Sequence, residues 1–173
     1  LLYAIELPKD GGKTSWINTI KAYDALDGET KAEIDQLQLI TYNPFVRRQK
    51  TKDLNESNGY GESPLYRFKD QPILGHAYPH PLVRTHPESG RNALWLNTHS
   101  EVELVNYDDQ AGSALIAQLR AHILQPEFAY QHQWEQGDIV FWDNQVTLHS
   151  RRPFPAEQRR LLKRISLAGG RPF

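Results

Sequence analysis

The sequence predicts a mainly β protein with flanking α-helices, an antiparallel sandwich or barrel and not a parallel α/β sheet. Three observations carry that prediction. Short apolar runs bounded by turn formers recur along the chain, only a few stretches show helical period, and four strand-like runs ("EFAYQHQW", "DIVFWDN", "VTLHS", "RRLLKRISLAG") close it with no helix between them. A chain of 173 residues can bury one ordinary core, so residues 1–173 are expected to form a single domain.

Leu2 to Leu7 reads as a first strand, stopped by Pro8 and the "DGG" turn. "NTIKAYDAL" and "ETKAEIDQL" then place apolar residues three and four apart, the period of two short helices broken at "DG". "LQLITYN" follows as a strand. From Pro44 to Pro72 the chain turns polar and charged with little periodicity, which suits either a lid over a site or a solvated mobile loop. "PLVRTH" and "ALWLN" read as a hairpin because "PESGRN" between them is rich in turn formers. "DDQAGSALIAQLRAHI" is the best helix, capped by Asp108 or Asp109, with Leu115, Ile116, Leu119 and Ile123 as its apolar stripe.

Composition narrows the function classes. The formal net charge is −1 with both signs interspersed, so there is no basic face for nucleic acid and no polybasic tail for a membrane. A small-molecule partner is expected. No apolar run could span a bilayer, no signal-peptide pattern opens the chain, and the absence of cysteine fits a cytoplasmic setting. There is no methionine either, and the chain opens in a strand-like run, so a preceding segment is expected.

The chemistry concentrates in "WDNQVTLHSRRPFPAEQRRLLKR". On a strand Arg160, Leu162, Arg164 and Ser166 share one face, and Leu161, Lys163, Ile165 and Leu167 the other. If the first face lines a cavity, its two guanidinium forks call for a carboxylate, sulfonate or phosphate. If it faces solvent, they pair with surface acids. His149, at the end of the preceding run, is by itself an ordinary strand-end histidine. "DN" at Asp143 reads as an Asx turn, Trp16, Trp95 and Trp142 as packing, and His76, His80, His122 and His132 acquire no role.

Three segments in order, "ELPKDGGKTSW", "HPLVRTHPESGRNALWLN" and "WDNQVTLHSRRPFPAEQRRLLKR…GGRPF", resemble the taurine dioxygenase (TauD/TfdA-type) family of Fe(II)- and 2-oxoglutarate-dependent dioxygenases. The resemblance runs from the first residues to the last and is weak only across Pro44–Pro72. It implies a double-stranded β-helix, the jelly roll of clavaminate synthase-like proteins. It also implies Fe(II) held by an H-x-D pair and a distal histidine, with 2-oxoglutarate as cosubstrate and O2 as oxidant. The distal histidine corresponds to His149, which follows "WDN" and precedes Arg160 by eleven residues. Arg160 corresponds to the residue that clamps the far carboxylate of 2-oxoglutarate, supported by Thr14 of the "GG-x-T-x-W" segment. Arg164 corresponds to the residue that binds the acidic group of the substrate in members that oxidise sulfonates or aryloxy acids. Beyond the metal site no catalytic residue is implied. Family members are commonly homodimers or homotetramers.

The sequence departs from that pattern in one respect: it contains no H-x-D. The pair is expected upstream of Leu1, which would make these residues the C-terminal majority of the catalytic domain. Of the two H-x-E triplets, His86–Glu88 falls in the hairpin turn, and His99–Glu101 has no metal role in the resemblance. The leading expectation is hydroxylation of a small anionic substrate, a taurine-like alkylsulfonate, an alkyl sulfate, or an aryloxy or carboxylic acid, with release of succinate and CO2. The alternative from another class is a non-catalytic jelly-roll module that binds an acid and has lost its metal. A third reading, a cupin-type metal protein without 2-oxoglutarate, is opposed by the combination of Thr14, Arg160 and Arg164.

Overall fold

The structure, a computed structural model, describes residues 1–41, 79–97 and 102–167. The lid or loop expected over 44–72, His76 and the His99–Glu101 triplet lie outside them. The described residues are mainly β with few helices, and their three-stranded sheets pair antiparallel throughout. Among them no helix is long and apolar enough to cross a membrane.

The chain divides into two compact units. The first comprises Leu1–Asp27, Arg84–Leu94 and Ala121–Phe173. In it β1 (Leu2–Glu6) lies between β11 (Leu161–Arg164) and β9 (Ile139–Val140), and β2 (Thr14–Asn18) lies between β10 (Thr147–Arg151) and β8 (Ala129–His132). The inner faces of these sheets meet through Ala4, Trp16 and Trp134, with Leu2, Leu7, Val140, Trp142 and Leu162 packed around them. Removing this apolar area from water is the main local stabilisation. The predicted hairpin forms as β5 (Val83–Thr85) and β6 (Asn92–Leu94), its turn closed by Gly90 N to His86 O at 2.9 Å.

Helix α1 (Thr19–Asp24) follows β2 without a linker because Asn18 caps it: its Oδ1 accepts from Ile20 N and Lys21 N, each at 3.0 Å. The helix packs along β6, where Tyr23 and Asn92 are bonded and Arg91 pairs with Asp24. Two runs are shorter than their apolar pattern. β9 holds only Ile139 and Val140 before the "WDN" turn takes over. β11 begins at Leu161, and β1 bulges between Ala4 and Glu6 where it meets that start, so Arg160 precedes the paired residues.

In the second unit, Gly28–Val83 with Trp95–Arg120, β3 (Gln38–Thr41) is flanked by β4 (Pro79–Pro81) and β7 (Val102–Leu104). β4 occupies an edge, where its two prolines leave no ladder donor missing. α2 (Gly28–Ile34) buries Ile34. α3 (Asp109–Ile123), whose last residues count with the first unit, buries the predicted stripe of Leu115, Ile116, Leu119 and Ile123. Its cap is Asp108, whose Oδ1 accepts from Gln110 N and Ala111 N.

Replacing the α1 cap, Asn18→Ala, is expected to lower stability by about 1 kcal/mol, and Asn18→Asp to change it little. Urea unfolding of the complete protein checks this; equal midpoints for wild type and Asn18→Ala would show that the cap bonds contribute nothing.

Candidate functional site

The candidate residues all fall in the first unit. β2 supplies Thr14 at its first position, and register puts Thr14 opposite Arg151 and His132, and Trp16 opposite His149 and Tyr130. Directly opposed residues share a face. Thr14, Trp16, His149 and Arg151 therefore project from the same side of their sheet. On the other sheet Leu2 pairs with Arg164 and Ala4 with Leu162, so Arg164 leaves β11 on the face of the buried Ala4, as strand alternation predicts. The opposite face carries Leu161, Ile165 and Leu167, all exposed.

Thr14 is buried, and its Oγ1 accepts from the indole N–H of Trp134 at 2.9 Å and from Arg160 Nη2 at 3.1 Å. Both lone pairs of the hydroxyl are then occupied, and its own proton remains to be donated. Arg160 also donates from Nε to Gly12 O at 3.0 Å. Two of its five N–H groups are thus used, both by neutral oxygens, and among the described residues no carboxylate pairs with it. Burial, and then the charge of Arg151, lower the Arg160 pKa from its ordinary value. The surface-pairing reading left open by the sequence does not describe this arginine.

The position of Arg160 depends on the double glycine. Gly12 has φ +66° and is so close to Arg160 that a Cβ there would lie 2.9 Å from Pro8 Cγ and 3.2 Å from Arg160 Cδ. Gly11, at φ +75°, would put a Cβ 2.5 Å from Pro153 O. Both the backbone conformation and the space exclude a side chain. Gln158 ties the same turn from the β11 side, its Oε1 accepting from Lys9 N at 2.7 Å.

His149 keeps one flank open to solvent and presents the other to Trp142, with ring centroids 5.2 Å apart. Burial of that flank, and secondarily the Arg164 charge, hold its pKa below the ordinary histidine value. The shift favours the neutral imidazole, the form that binds metals. Among the described residues no group of three or more histidines, cysteines and acids could hold a metal ion. His149 suits one ligand position; the described residues do not complete a metal centre.

A carboxylate-bearing anion fits better. Arg160 has unused donors, Thr14 an unused proton, and the indole N–H of Trp16 is buried with no acceptor among the described residues. Trp16 packs against Trp134 at 6.3 Å and Trp142 at 5.4 Å. The sequence reading missed Gly12, Trp134 and Arg151. The "GG" doublet was a usable signal for the first; for Trp134, 120 residues from Thr14, there was none. Arg151 is cross-strand from Thr14 and lies over the Phe154 ring at 4.7 Å.

The residues read as bland are also placed. Asp143 forms the expected Asx turn, its Oδ1 accepting from Gln145 N. His86 sits at the hairpin turn. His122 donates to Ala22 O, and His132 bonds to Asp138.

Comparison with known proteins bears on the same residues. The taurine catabolism dioxygenase TauD, TfdA family matches residues 1–166. The alpha-ketoglutarate-dependent 2,4-dichlorophenoxyacetate dioxygenase of Burkholderia sp. (strain RASC) is 34% identical over 99% of this chain and 53% of its own length. The alkylsulfatase of Acinetobacter baylyi is 30% identical over 98% of this chain and 51% of its own. Among solved structures, AAD-2 in complex with Mn(II) and N-oxalylglycine superposes with a TM-score of 0.77 at 33% identity, covering 99% of this chain and 63% of that one. A taurine dioxygenase from Burkholderia xenovorans gives 0.71 at 28% identity, covering 93% and 48%. The chain spans about half the length of the curated relatives it matches. With nearly its whole length matched, the chain belongs to the taurine catabolism dioxygenase TauD, TfdA family.

Proposed function

We propose that the complete protein is an Fe(II)- and 2-oxoglutarate-dependent dioxygenase with a jelly-roll catalytic domain, of which residues 1–173 are the larger part, and that it hydroxylates a small anionic substrate. The observation that carries this is Arg160, a partly buried guanidinium held by two neutral oxygens and left without a carboxylate partner among the described residues. A planar fork so held accepts a carboxylate in two-pronged geometry, and the Thr14 hydroxyl adds a donor beside it. On this reading Arg160 and Thr14 orient the far carboxylate of 2-oxoglutarate. Arg164, on the Leu162 face of β11, takes the acidic group of the substrate, and His149 offers its imidazole as one metal ligand.

Two further ligands, an H-x-D pair, complete the metal centre in this proposal, and Fe(II) then supplies the coupling of 2-oxoglutarate decarboxylation to substrate oxidation by O2. The chain's own residues bind and orient the two acids, and Trp16, Trp134 and Trp142 wall the site with apolar surface. The relatives support an acidic substrate: their names specify a phenoxyacetate and an alkyl sulfate ester chemistry. N-oxalylglycine, bound in AAD-2 with Mn(II), has the carbon skeleton of 2-oxoglutarate with one CH2 replaced by NH and supports the keto-acid cosubstrate. A sulfonate, a sulfate ester or an aryloxy or carboxylic acid all present the oxygens that a guanidinium recognises.

A second reading is favoured by one observation, that the described residues bring together no three metal donors. It makes the protein a binding module for an acidic small molecule. Anaerobic addition of Fe(II) and then 2-oxoglutarate to the complete protein separates the two: a visible charge-transfer band of the chelated keto acid supports the dioxygenase, and binding of 2-oxoglutarate without Fe(II) uptake supports the module.

Three variants of the complete protein test the roles. Arg160→Ala is expected to raise the KM for 2-oxoglutarate by about 100-fold, the loss of two charge-assisted hydrogen bonds, and Thr14→Val by about 10-fold; an equal rise in the substrate KM would remove both from a cosubstrate role. Arg164→Ala should show the reverse, a raised substrate KM with that of 2-oxoglutarate unmoved, and steady-state kinetics with each varied in turn would expose a failure. His149→Ala is expected to abolish the charge-transfer band while the fold persists by circular dichroism; a retained band places the ligand elsewhere.

A further inference from the structure

Two residues that the sequence explains as separate turn formers are bonded to each other. His86 heads the turn between β5 and β6, its side chain only 10% exposed. Its Nδ1 accepts from Ser89 N at 3.1 Å and lies 2.9 Å from Ser89 Oγ, and its Nε2 lies 2.8 Å from Asp143 Oδ2. A nitrogen that accepts a backbone N–H carries no proton. The neutral ring therefore holds its proton on Nε2 and donates it to Asp143. The other carboxylate oxygen, Oδ1, accepts from Gln145 N at 2.7 Å. Asp143 thus serves two donors with two acceptor oxygens.

That carboxylate sits at the root of the strand that carries His149. The backbone oxygen of Asp143 accepts from Thr147 Oγ1 at 2.6 Å, and Val146 O accepts from Thr19 N and Thr19 Oγ1 at 3.0 and 2.9 Å. The turn is held at both ends. Trp142, the residue immediately before Asp143, is consequently set against the His149 ring at 5.2 Å and against Trp16 at 5.4 Å. Metal-binding histidines are usually oriented by a hydrogen bond on the second ring nitrogen. Among the described residues the His149 ring makes none, so its orientation rests on packing, and Trp142 is the ring against it.

We propose that His86 and Asp143 are positioning residues for His149, acting through Trp142: the His86–Asp143 bond fixes the turn that presses the indole onto the imidazole. The proposal rests on the reading of His149 as a metal ligand. It gives the hairpin turn a function beyond closing β5 onto β6. It also separates Asp143 from an ordinary Asx turn, in which asparagine serves as well as aspartate.

The discriminating variant is Asp143→Asn in the complete protein. An asparagine has one acceptor oxygen for the two donors, so either His86 Nε2–H or Gln145 N–H must face an amide N–H. Reversing the His86 tautomer only moves the conflict to Ser89 N. The metal-free protein is examined by NMR for the ring-current shift that Trp142 imposes on the His149 ring protons, and Fe(II) affinity is measured by titration. Asp143→Asn is expected to lose most of that ring-current shift and to weaken Fe(II) binding about 10-fold. Wild-type values for both would overturn the proposal, since a turn-forming role alone tolerates asparagine. His86→Gln, whose amide N–H can still reach Asp143, should retain more of the shift than His86→Ala; equal loss in the two would also overturn it, and this pair decides the matter if Asp143→Asn does not fold. If the wild-type protein binds no Fe(II), the proposed function fails, and the ring-current comparison alone decides whether the positioning is real.

Discussion

The site depends on one hydroxyl group. Thr14 Oγ1 accepts the indole N–H of Trp134 and one arm of Arg160, and in doing so joins the interior of the first unit to a partly buried guanidinium. The choice of partner matters. A carboxylate in place of that hydroxyl would hold the guanidinium more strongly and neutralise it. Two neutral oxygens, from Gly12 and Thr14, contribute roughly 1.5–3 kcal/mol each and leave the charge intact. The guanidinium is thereby fixed in direction by neutral groups, with no carboxylate partner among the described residues, the condition a binding site for an acid requires.

The surrounding charges follow the same logic. Burial first, and then the charge of Arg151 on Arg160 and of Arg164 on His149, shift both groups toward the uncharged form. For Arg160 the consequence is small, because a guanidinium stays protonated at any physiological pH. For His149 the shift favours the neutral imidazole, which has a lone pair to give. On the proposed reading, a dicarboxylate and an acidic substrate together offset the three guanidinium charges at this end of the sheets, so that each acid improves the electrostatic setting for the other to the extent that solvent does not screen it.

Much of this was legible in the sequence because it is local. Strand alternation places Leu162 and Arg164 on one face of β11, and helical period with turn chemistry finds α1, α2, α3 and the β5–β6 hairpin. The limits have physical causes. The period-two pattern starts β11 before Arg160, but the bulge in β1 opposite Leu161 ends the pairing there, and a bulge leaves no mark in such a pattern. Trp134 was invisible as a partner of Thr14 because its burial needs no explanation from sequence. His86 and Asp143 were hidden for a subtler reason: each has a sufficient local account as a turn residue, so nothing in the pattern asks for the bond across 57 residues that joins them.

Three acids near the site in sequence are engaged elsewhere, and among the described residues no carboxylate pairs with Arg160. Asp143 has both oxygens occupied, by His86 and Gln145 N. Asp138 is similarly engaged: its Oδ2 accepts from His132 and from Glu135 N, and these bonds lower its pKa from the ordinary value. Glu6 pairs on the surface with Arg159, not with Arg160. Asp143, Asp138 and Glu6 are thus committed to backbone N–H groups, to histidines or to an exposed partner. A carboxylate already satisfied by two donors gains little by turning to a guanidinium and loses those bonds in doing so. These acids stabilise turns or pair at the surface, and among the described residues Arg160 is held by Gly12 O and Thr14 Oγ1 with its charge intact; on the proposed reading that charge serves a ligand.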